Sequence, residues 1–336
     1  MTSTFDIALV GATGIVGETL LQILEERDFP VGELHLLASA ESAGRSLAFK
    51  GKNLRVRELE GFDFTRVKLA FFAADATTVQ AWADKVQQAG CSLIDLSGGL
   101  SCERAPRVVP EVNGEQVAGL ALPAALTSPA APAVAVALVL AALRPQLQAA
   151  RVVVSAGLGV SSRGREGVAE LARQTAELLN GRSLEPRLFD RQMAFNLLAQ
   201  VDEPGADGYG RLERRIGEEL KALLGDTSLS VSASCHQVPV FFGDSLSVSV
   251  LATSPVELGH IQAALDAADG LEVVESGDYP TVIGDAVGQD EVYVGRVRRG
   301  LDEPCELTLW IVSDNVRKGG ALNAVQLGEL LIKQDL

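Results

Sequence analysis

Along the first hundred residues, short apolar runs alternate with longer stretches of helical spacing. Phe5 to Val10 reads as a strand, Gly11-Ala-Thr13-Gly14-Ile15-Val16-Gly17 as a glycine turn, and residues 18–26 as a helix. Further strands are predicted at 33–39, 68–74 and 92–96, with a helix over 77–88. Alternation of this kind implies a parallel sheet covered on both faces.

The stretch 121–143 is almost free of polar groups and is long enough to cross a bilayer, but Pro123, Pro129 and Pro132 interrupt it. Proline removes helix hydrogen bonds, whereas Pro132 suits the first turn of a buried helix over 132–143. We therefore expect a core helix and no membrane span. Beyond it the pattern changes. Residues 151–160 and 228–253 are strand-like and rich in Val and Ser, and two helices, 166–179 and 211–224, lie between them, which predicts an α+β domain with one broad sheet. The loosest linker is 204–210. Residues 315–336 are expected to be mostly helix, with an apolar stripe at Leu322, Val325, Leu327, Leu330 and Leu331. The fold class expected is thus α/β, with a Rossmann-type dinucleotide-binding domain over 1–130 plus 315–336 and an α+β catalytic or dimerisation-type domain over 131–314.

A length of 336 residues agrees with two domains, and 47% hydrophobic with 22% charged residues is ordinary for a soluble protein. The net charge of -15, without any Lys/Arg cluster, repels nucleic acid and anionic membranes. Cys91, Cys102, Cys235 and Cys305 are widely spaced, so neither a metal site nor a disulfide framework is suggested. The N-terminus lacks a basic segment ahead of its first apolar run, and the chain reads as cytoplasmic.

In the glycine turn, Gly11 permits a sharp reversal, Gly14 lets a pyrophosphate approach the backbone, and Gly17 lets helix and strand pack closely. The helix N-terminus adds free N–H groups and positive potential, and the turn follows the first strand, as a dinucleotide site requires. Glu41 lies where an acid bonds the ribose hydroxyls in such folds; a solvated loop carboxylate is the competing reading.

Seven segments in order resemble the aspartate-semialdehyde dehydrogenases: 11–17, Leu37-Ala-Ser-Ala-Glu41-Ser-Ala-Gly44, Val109-Pro-Glu-Val-Asn113, Phe195-Asn196, Val238-Pro-Val-Phe-Phe-Gly243, Val292-Tyr-Val-Gly-Arg296 and Asp314-Asn-Val-Arg-Lys-Gly319. The resemblance implies a dinucleotide-binding domain completed by the C-terminal helix, a central domain that pairs two subunits, and reduction of aspartyl phosphate with NADPH through a cysteine thioester. The departures lie at the positions that carry this chemistry. Where the family has Asn-Pro-Asn-Cys, this chain has Ser128-Pro129-Ala130-Ala131, and alanine has no nucleophilic atom. The positioning glutamine corresponds to Leu158, the carboxylate-binding arginine to Gln237, the acid/base histidine to Asp244, and the phosphate-binding arginine, within a residue or so, to Ser101. Gln237 cannot make a bidentate charged fork, and an ionised Asp244 accepts a proton but does not donate one. Glu213 matches an acid of the family's substrate pocket, against the alternative of an exposed helical carboxylate. Glu41 stands where the family's arginine pairs with the 2′-phosphate of NADP, so any retained dinucleotide is expected to be NAD and not NADP.

Cys235 reads as a buried thiol, with His236 on the opposite face of its strand. His35, on a strand edge, and His260 have no evident acidic partner, and Ser161 and Ser162 no activating base. No metal is expected. The function expected is that of a catalytically inactive family member acting through dinucleotide binding or protein association; the alternative is an active NAD(P)-dependent oxidoreductase with altered chemistry, using Asp244 as base. The broad sheet carries Val, Leu and Phe among its alternating positions, so one apolar face is expected under the chain's own helices and the other under a second copy, as a homodimer. Any further small-molecule or protein partner is unspecified by the sequence.

Overall fold

The structure, a computed structural model, describes residues 4–334. The chain divides into two compact units, Met1–Pro129 with Gly320–Leu336, and Ala130–Gly319. Residues 1–3 and 335–336, at the outer limits of the expected first domain and C-terminal helix, lie outside the described residues.

The first unit is built on β1 (Phe5–Val10), α1 (Ile15–Glu26), β2 (Val31–Ala38), a hairpin of β3 (Ser46–Phe49) and β4 (Lys52–Arg55), β5 (Arg57–Glu58), β6 (Leu69–Phe72), α2 (Ala76–Gln88), β7 (Ser92–Asp95), α3 (Pro110–Asn113) and β8 (Ala125–Thr127). Six strands form a parallel sheet in the order β5-β2-β1-β6-β7-β8. Alternate residues of one strand serve two cores. Ile7 and Leu9 pack with Leu36, Phe71, α1 and the C-terminal helix Asn323–Ile332, while Ala8 and Val10 pack with Phe72 and with Val79, Ala83 and Val86 of α2. Such two-sided burial is why these strands read as apolar runs without alternation. Asp75 caps α2 by accepting from Thr78 N–H at 2.9 Å. His35 is in β2, paired with Ala8 of β1, while β5 pairs only with Leu37 and Ala38, and Glu33 on the same strand brings a carboxylate oxygen to 3.6 Å of its Nε2. Burial nevertheless lowers its pKa.

The second unit contains α4 (Ala131–Leu143), β9 (Ala149–Leu158), α5 (Gly164–Leu179), α6 (Arg211–Leu224), β10 (Ser230–Gln237), β11 (Asp244–Ala252), α7 (Leu258–Asp266), β12 (Leu271–Val273), β13 (Val292–Arg299) and β14 (Glu306–Ser313). Its mixed sheet has the order β10-β9-β11-β14-β13-β12. The stretch 228–253 is two strands that flank β9, one parallel and one antiparallel, so residues 238–243 cross the end of β9. Helices α4, α6 and α7 lie against one face, where Val154, Val248 and Leu309 are buried. α4 is buried along nearly its whole length, which accounts for its lack of a polar stripe.

The other face is not the apolar surface expected. Its central cross-strand rows, Ser234–Ser155–Ser247–Trp310 and Ser232–Val153–Ser249–Thr308, are mostly small hydroxyl residues, and no phenylalanine lies in any of the six strands. The Val and Leu of the alternating pattern mostly point to the helices, and the Phe residues fall in the 238–243 crossing. Among the described residues no helix is long and apolar enough to cross a membrane.

Candidate functional sites

In the first unit, β1 connects onward through α1 to β2 and its neighbour β6 through α2 to β7, in opposite directions along the sheet, so a crevice opens between their carboxyl ends. The glycine turn follows β1 at this point. Gly11 has φ of +79°, and a Cβ on it would lie 2.2 Å from the Ala73 carbonyl oxygen. A Cβ on Gly17 would lie 2.2 Å from the Gly11 oxygen. Gly14 is different: it is the N-cap of α1 without any capping side chain, and the nearest atom to a Cβ is 3.3 Å away. Packing therefore requires glycine at 11 and 17, while Gly14 leaves the helix N-terminus open to an anionic group.

A cavity of about 360 Å³ adjoins the turn, lined by Val10, Gly11 and Thr13, by residues 38–40 at the end of β2, by Glu58 to Glu60, and by Ala74, Asp75, Thr78 and Trp82. Gly14, Ile15, Val16 and Gly17 form the turn and the start of α1 beside it. Glu41 is exposed in the turn beyond Ala40 and is not a lining residue. The carboxylates on the cavity are Glu58, Glu60 and Asp75, with no Lys, Arg or His among its lining residues. Sequence reading missed Glu58 and Glu60 because β5 is only two residues long and shows no periodicity; its pairing with β2 places them. An open helix N-terminus and a glycine turn suit the phosphates of a dinucleotide, and the adjoining cavity has room for one of its nucleosides.

In the second unit, register gathers three of the substituted positions. Gln237, Leu158, Asp244 and Ser313 stand side by side on β10, β9, β11 and β14, on the face that the helices cover. Gln237 is spent locally: its Nε2 donates to the Leu158 carbonyl at 2.6 Å, and Ser162 Oγ lies 3.5 Å from its Oε1. Asp244 is 1% exposed, and its Oδ1 has no hydrogen-bond partner among the described residues; nor has Ser313 Oγ, on the residue paired with it. Burial pushes the Asp244 carboxyl up to about 8, opposed by the Gly159 N–H and reinforced by the Asp314 carboxylate. Where the sequence implied an ionised Asp244, burial favours the protonated carboxyl near neutral pH, which can donate a hydrogen bond. Ser313 was not foreseen, because only strand pairing sets it beside Asp244.

Ala131 is the first residue of α4. A Cβ on Gly319 would lie 2.3 Å from the Ala131 Cβ, so the loop after β14 closes tightly on this methyl group. The preceding Ala130 N–H donates to Glu219 Oε2 at 2.8 Å, and Arg215 Nε meets Glu219 Oε1 at 2.7 Å. A buried carboxylate, 1% exposed, therefore already sits at this helix N-terminus. Glu213 is neither exposed nor free: it accepts from Gly210 N–H and from Cys235 N–H, both at 2.8 Å, so it caps α6 and ties that helix to β10. Burial, and then the Glu213 charge, push the Cys235 thiol up to about 12, which leaves it a poor nucleophile. Ser161 Oγ donates to Asn315 Oδ1, which also accepts from Gly243 N–H. Among the described residues no group of three His, Cys, Asp or Glu is placed to hold a metal ion.

Comparison with known proteins assigns both units. The sequence model of the semialdehyde dehydrogenase NAD binding domain matches residues 6–120, and that of the semialdehyde dehydrogenase dimerisation domain matches residues 140–318. Aspartate-semialdehyde dehydrogenase 2 of Vibrio cholerae is 39% identical over 99% of both chains. The chain belongs to the aspartate-semialdehyde dehydrogenase family. It is also similar to a USG-1 protein homolog of Azotobacter vinelandii, 58% identical over 99% of both chains. A solved structure described as a probable aspartate-semialdehyde dehydrogenase from Pseudomonas aeruginosa superposes with a TM-score of 0.97 at 57% identity, covering 99% of this chain and all of that one. The family's fold, a parallel-sheet NAD-binding domain followed by a mixed-sheet dimerisation domain, is the fold observed.

Proposed function

We propose that this aspartate-semialdehyde dehydrogenase homologue has lost the family's covalent chemistry and acts through dinucleotide binding and association with a second copy. The observation that carries this reading is Ala131 at the start of α4, with Gly319 closed on its methyl group and the Glu219 carboxylate on the preceding N–H. A methyl group cannot form an acyl adduct, and the Ala130 N–H beside it is already occupied by Glu219. Leu158 and Gln237 add nothing that could hold an acyl group, since one is aliphatic and the other is bonded to its own sheet. Purified protein is expected to give no turnover with aspartate semialdehyde, phosphate and either NAD or NADP, and Ala131→Cys is expected not to restore it. Robust turnover by the wild-type chain would overturn the reading.

The residues that would hold a dinucleotide are the 11–17 turn and the cavity beside it, where the nicotinamide group, once bound, would supply hydride chemistry. Three carboxylates without a lining cation favour the ribose hydroxyls of NAD over the 2′-phosphate of NADP, and Glu41 adds a fourth negative charge close by. Calorimetry should show tighter binding of NAD(H), with Glu60→Arg and Glu41→Arg each shifting preference toward NADP(H); a wild-type preference for NADP(H) would contradict the assignment. A cytoplasmic location goes with this reading, in keeping with four free cysteines.

A second reading, an active oxidoreductase with altered chemistry, is favoured by one observation. Asp244 keeps its proton near neutral pH and so retains an acid where the family has histidine. Turnover lost on Asp244→Asn without loss of folding would support it.

A further inference from the structure

The segment Val292 to Arg296, one of those that carry the family resemblance, takes no part in either site above. It begins β13, whose pairing with β14 shifts register between Gly295 and Arg298. Shifts of this kind bend a strand and re-aim its side chains. Crowding makes Gly295 obligatory, because a Cβ would lie 2.5 Å from Pro280 Cδ and 2.7 Å from Val274 Cγ2. Arg296 follows with φ of +50°, in the left-handed region that long side chains rarely adopt. Backbone held in that region against a side chain's preference is characteristic of ligand clamps.

These features border a groove of about 600 Å³ between the end of α7 and the edge of the sheet at β12 and β13, within the size range of small-molecule sites. Arg296 and Arg298 line it together with Asp266, Glu275 and Asp278. The opposite charges do not neutralise one another. Among the described residues neither guanidinium makes an ion pair, while Asp266 accepts from Gln262 within α7 and Asp278 from the Tyr279 N–H. Val274, Val297 and the 58% exposed Tyr279 supply apolar wall.

We propose that this groove binds a zwitterionic α-amino acid with an apolar side chain, its carboxylate toward Arg296 and Arg298 and its ammonium toward the facing carboxylates. Charge selects this class. A simple anion would gain two guanidiniums but meet three carboxylates, and a metal ion or polyamine would meet the reverse; only a molecule with both charges is served by both sets. The carboxylate suits guanidinium, which presents paired donors in one plane. Solvent-exposed charges attract modestly, so affinity should fall between about 10 µM and 1 mM and weaken with added salt. This site lies apart from the dinucleotide cavity and does not depend on what binds there.

Calorimetry on the full chain, without dinucleotide, tests it with L-leucine and L-phenylalanine as probes, against L-leucinamide, N-acetyl-L-leucine and inorganic phosphate. At least one free amino acid is expected to bind with a stoichiometry of one. The amide lacks the carboxylate and the acetylated form the ammonium, so each should bind at least about tenfold more weakly. Arg296→Gly, which suits the left-handed backbone, and Arg298→Gln should each weaken binding by a similar factor while the melting temperature holds. No binding of either amino acid at about 10 mM would overturn the proposal. So would equal binding of N-acetyl-L-leucine or phosphate, which would make the groove an anion site, or undiminished binding by both variants, which would place the ligand elsewhere.

Discussion

Asp244 shows how a single side chain changes character on burial. A carboxyl in water titrates near 3.8, and in the folded chain it rises to about 8 because its charge would be stranded under α4 and its neighbours without a full set of donors. Below about pH 4 both folded and unfolded chains hold the proton and there is no penalty. As pH rises from there toward about 8, only the unfolded chain ionises, so stability is lost across that window and then levels off. At about 1.4 kcal/mol per pH unit the loss by neutral pH amounts to several kcal/mol. Asp244→Asn removes the titration, so it should raise the melting temperature at pH 7 by several degrees and leave it nearly unchanged near pH 4. Equal melting of the two chains across that range would show that Asp244 is ionised or solvated in the fold. Glu213 teaches the complementary lesson, since a carboxylate that resembles a ligand-binding group is occupied by two backbone N–H groups of its own chain.

At the scale of elements, the β1–turn–α1 unit separates two duties that the sequence writes with the same letter. Gly11 and Gly17 are needed for strand and helix to approach, whereas Gly14 leaves the N-terminus of α1 uncovered. Gly17→Ala drives a methyl group to 2.2 Å of a carbonyl oxygen and should cost about 1–3 kcal/mol of stability, read as a fall in melting temperature. Gly14→Ala has φ of −74° and needs only a small adjustment, so it should cost on the order of 1 kcal/mol or less yet weaken dinucleotide binding at least tenfold. Unchanged affinity in that variant would remove the phosphate site from the turn. The order in which β10 and β11 flank β9 is likewise an element-level result, because it turns Gln237, Leu158 and Asp244 into one row, which β14 extends with Ser313.

For the whole molecule the open question is what covers the second face of the mixed sheet. Serine and threonine dominate the two central rows of that face, which lets a second sheet approach there, and the unit that bears it matches the family's dimerisation domain. We therefore expect sedimentation at micromolar concentration to give about twice 35.3 kDa. Exchange of Ser155 and Ser247, which pair directly across β9 and β11, for arginine should yield the monomer, because two like-charged long chains would then stand in a flat contact. A wild-type chain that sediments as a monomer would contradict the association.

Hydrophobic patterning by itself determined that the first unit is a parallel sheet with a glycine turn after β1, since strands buried on both faces must be continuously apolar, and that residues from 132 onward form a buried helix and not a span. It also determined the identities at 131, 158, 237 and 244, whose chemistry is fixed by their atoms wherever they lie. Periodicity did not reveal β5, the hairpin of β3 and β4, or strands β12 and β13, which are short, exposed or bent and are held by pairing with their neighbours. Nor could it show that the serines of β9 and β11 point outward together, that Glu213 and Gln237 are spent within the chain, or that Asp244 keeps its proton. Those properties arise from neighbours supplied by register and packing, and burial and hydrogen-bond competition set the charge and availability of a side chain only once those neighbours are in place.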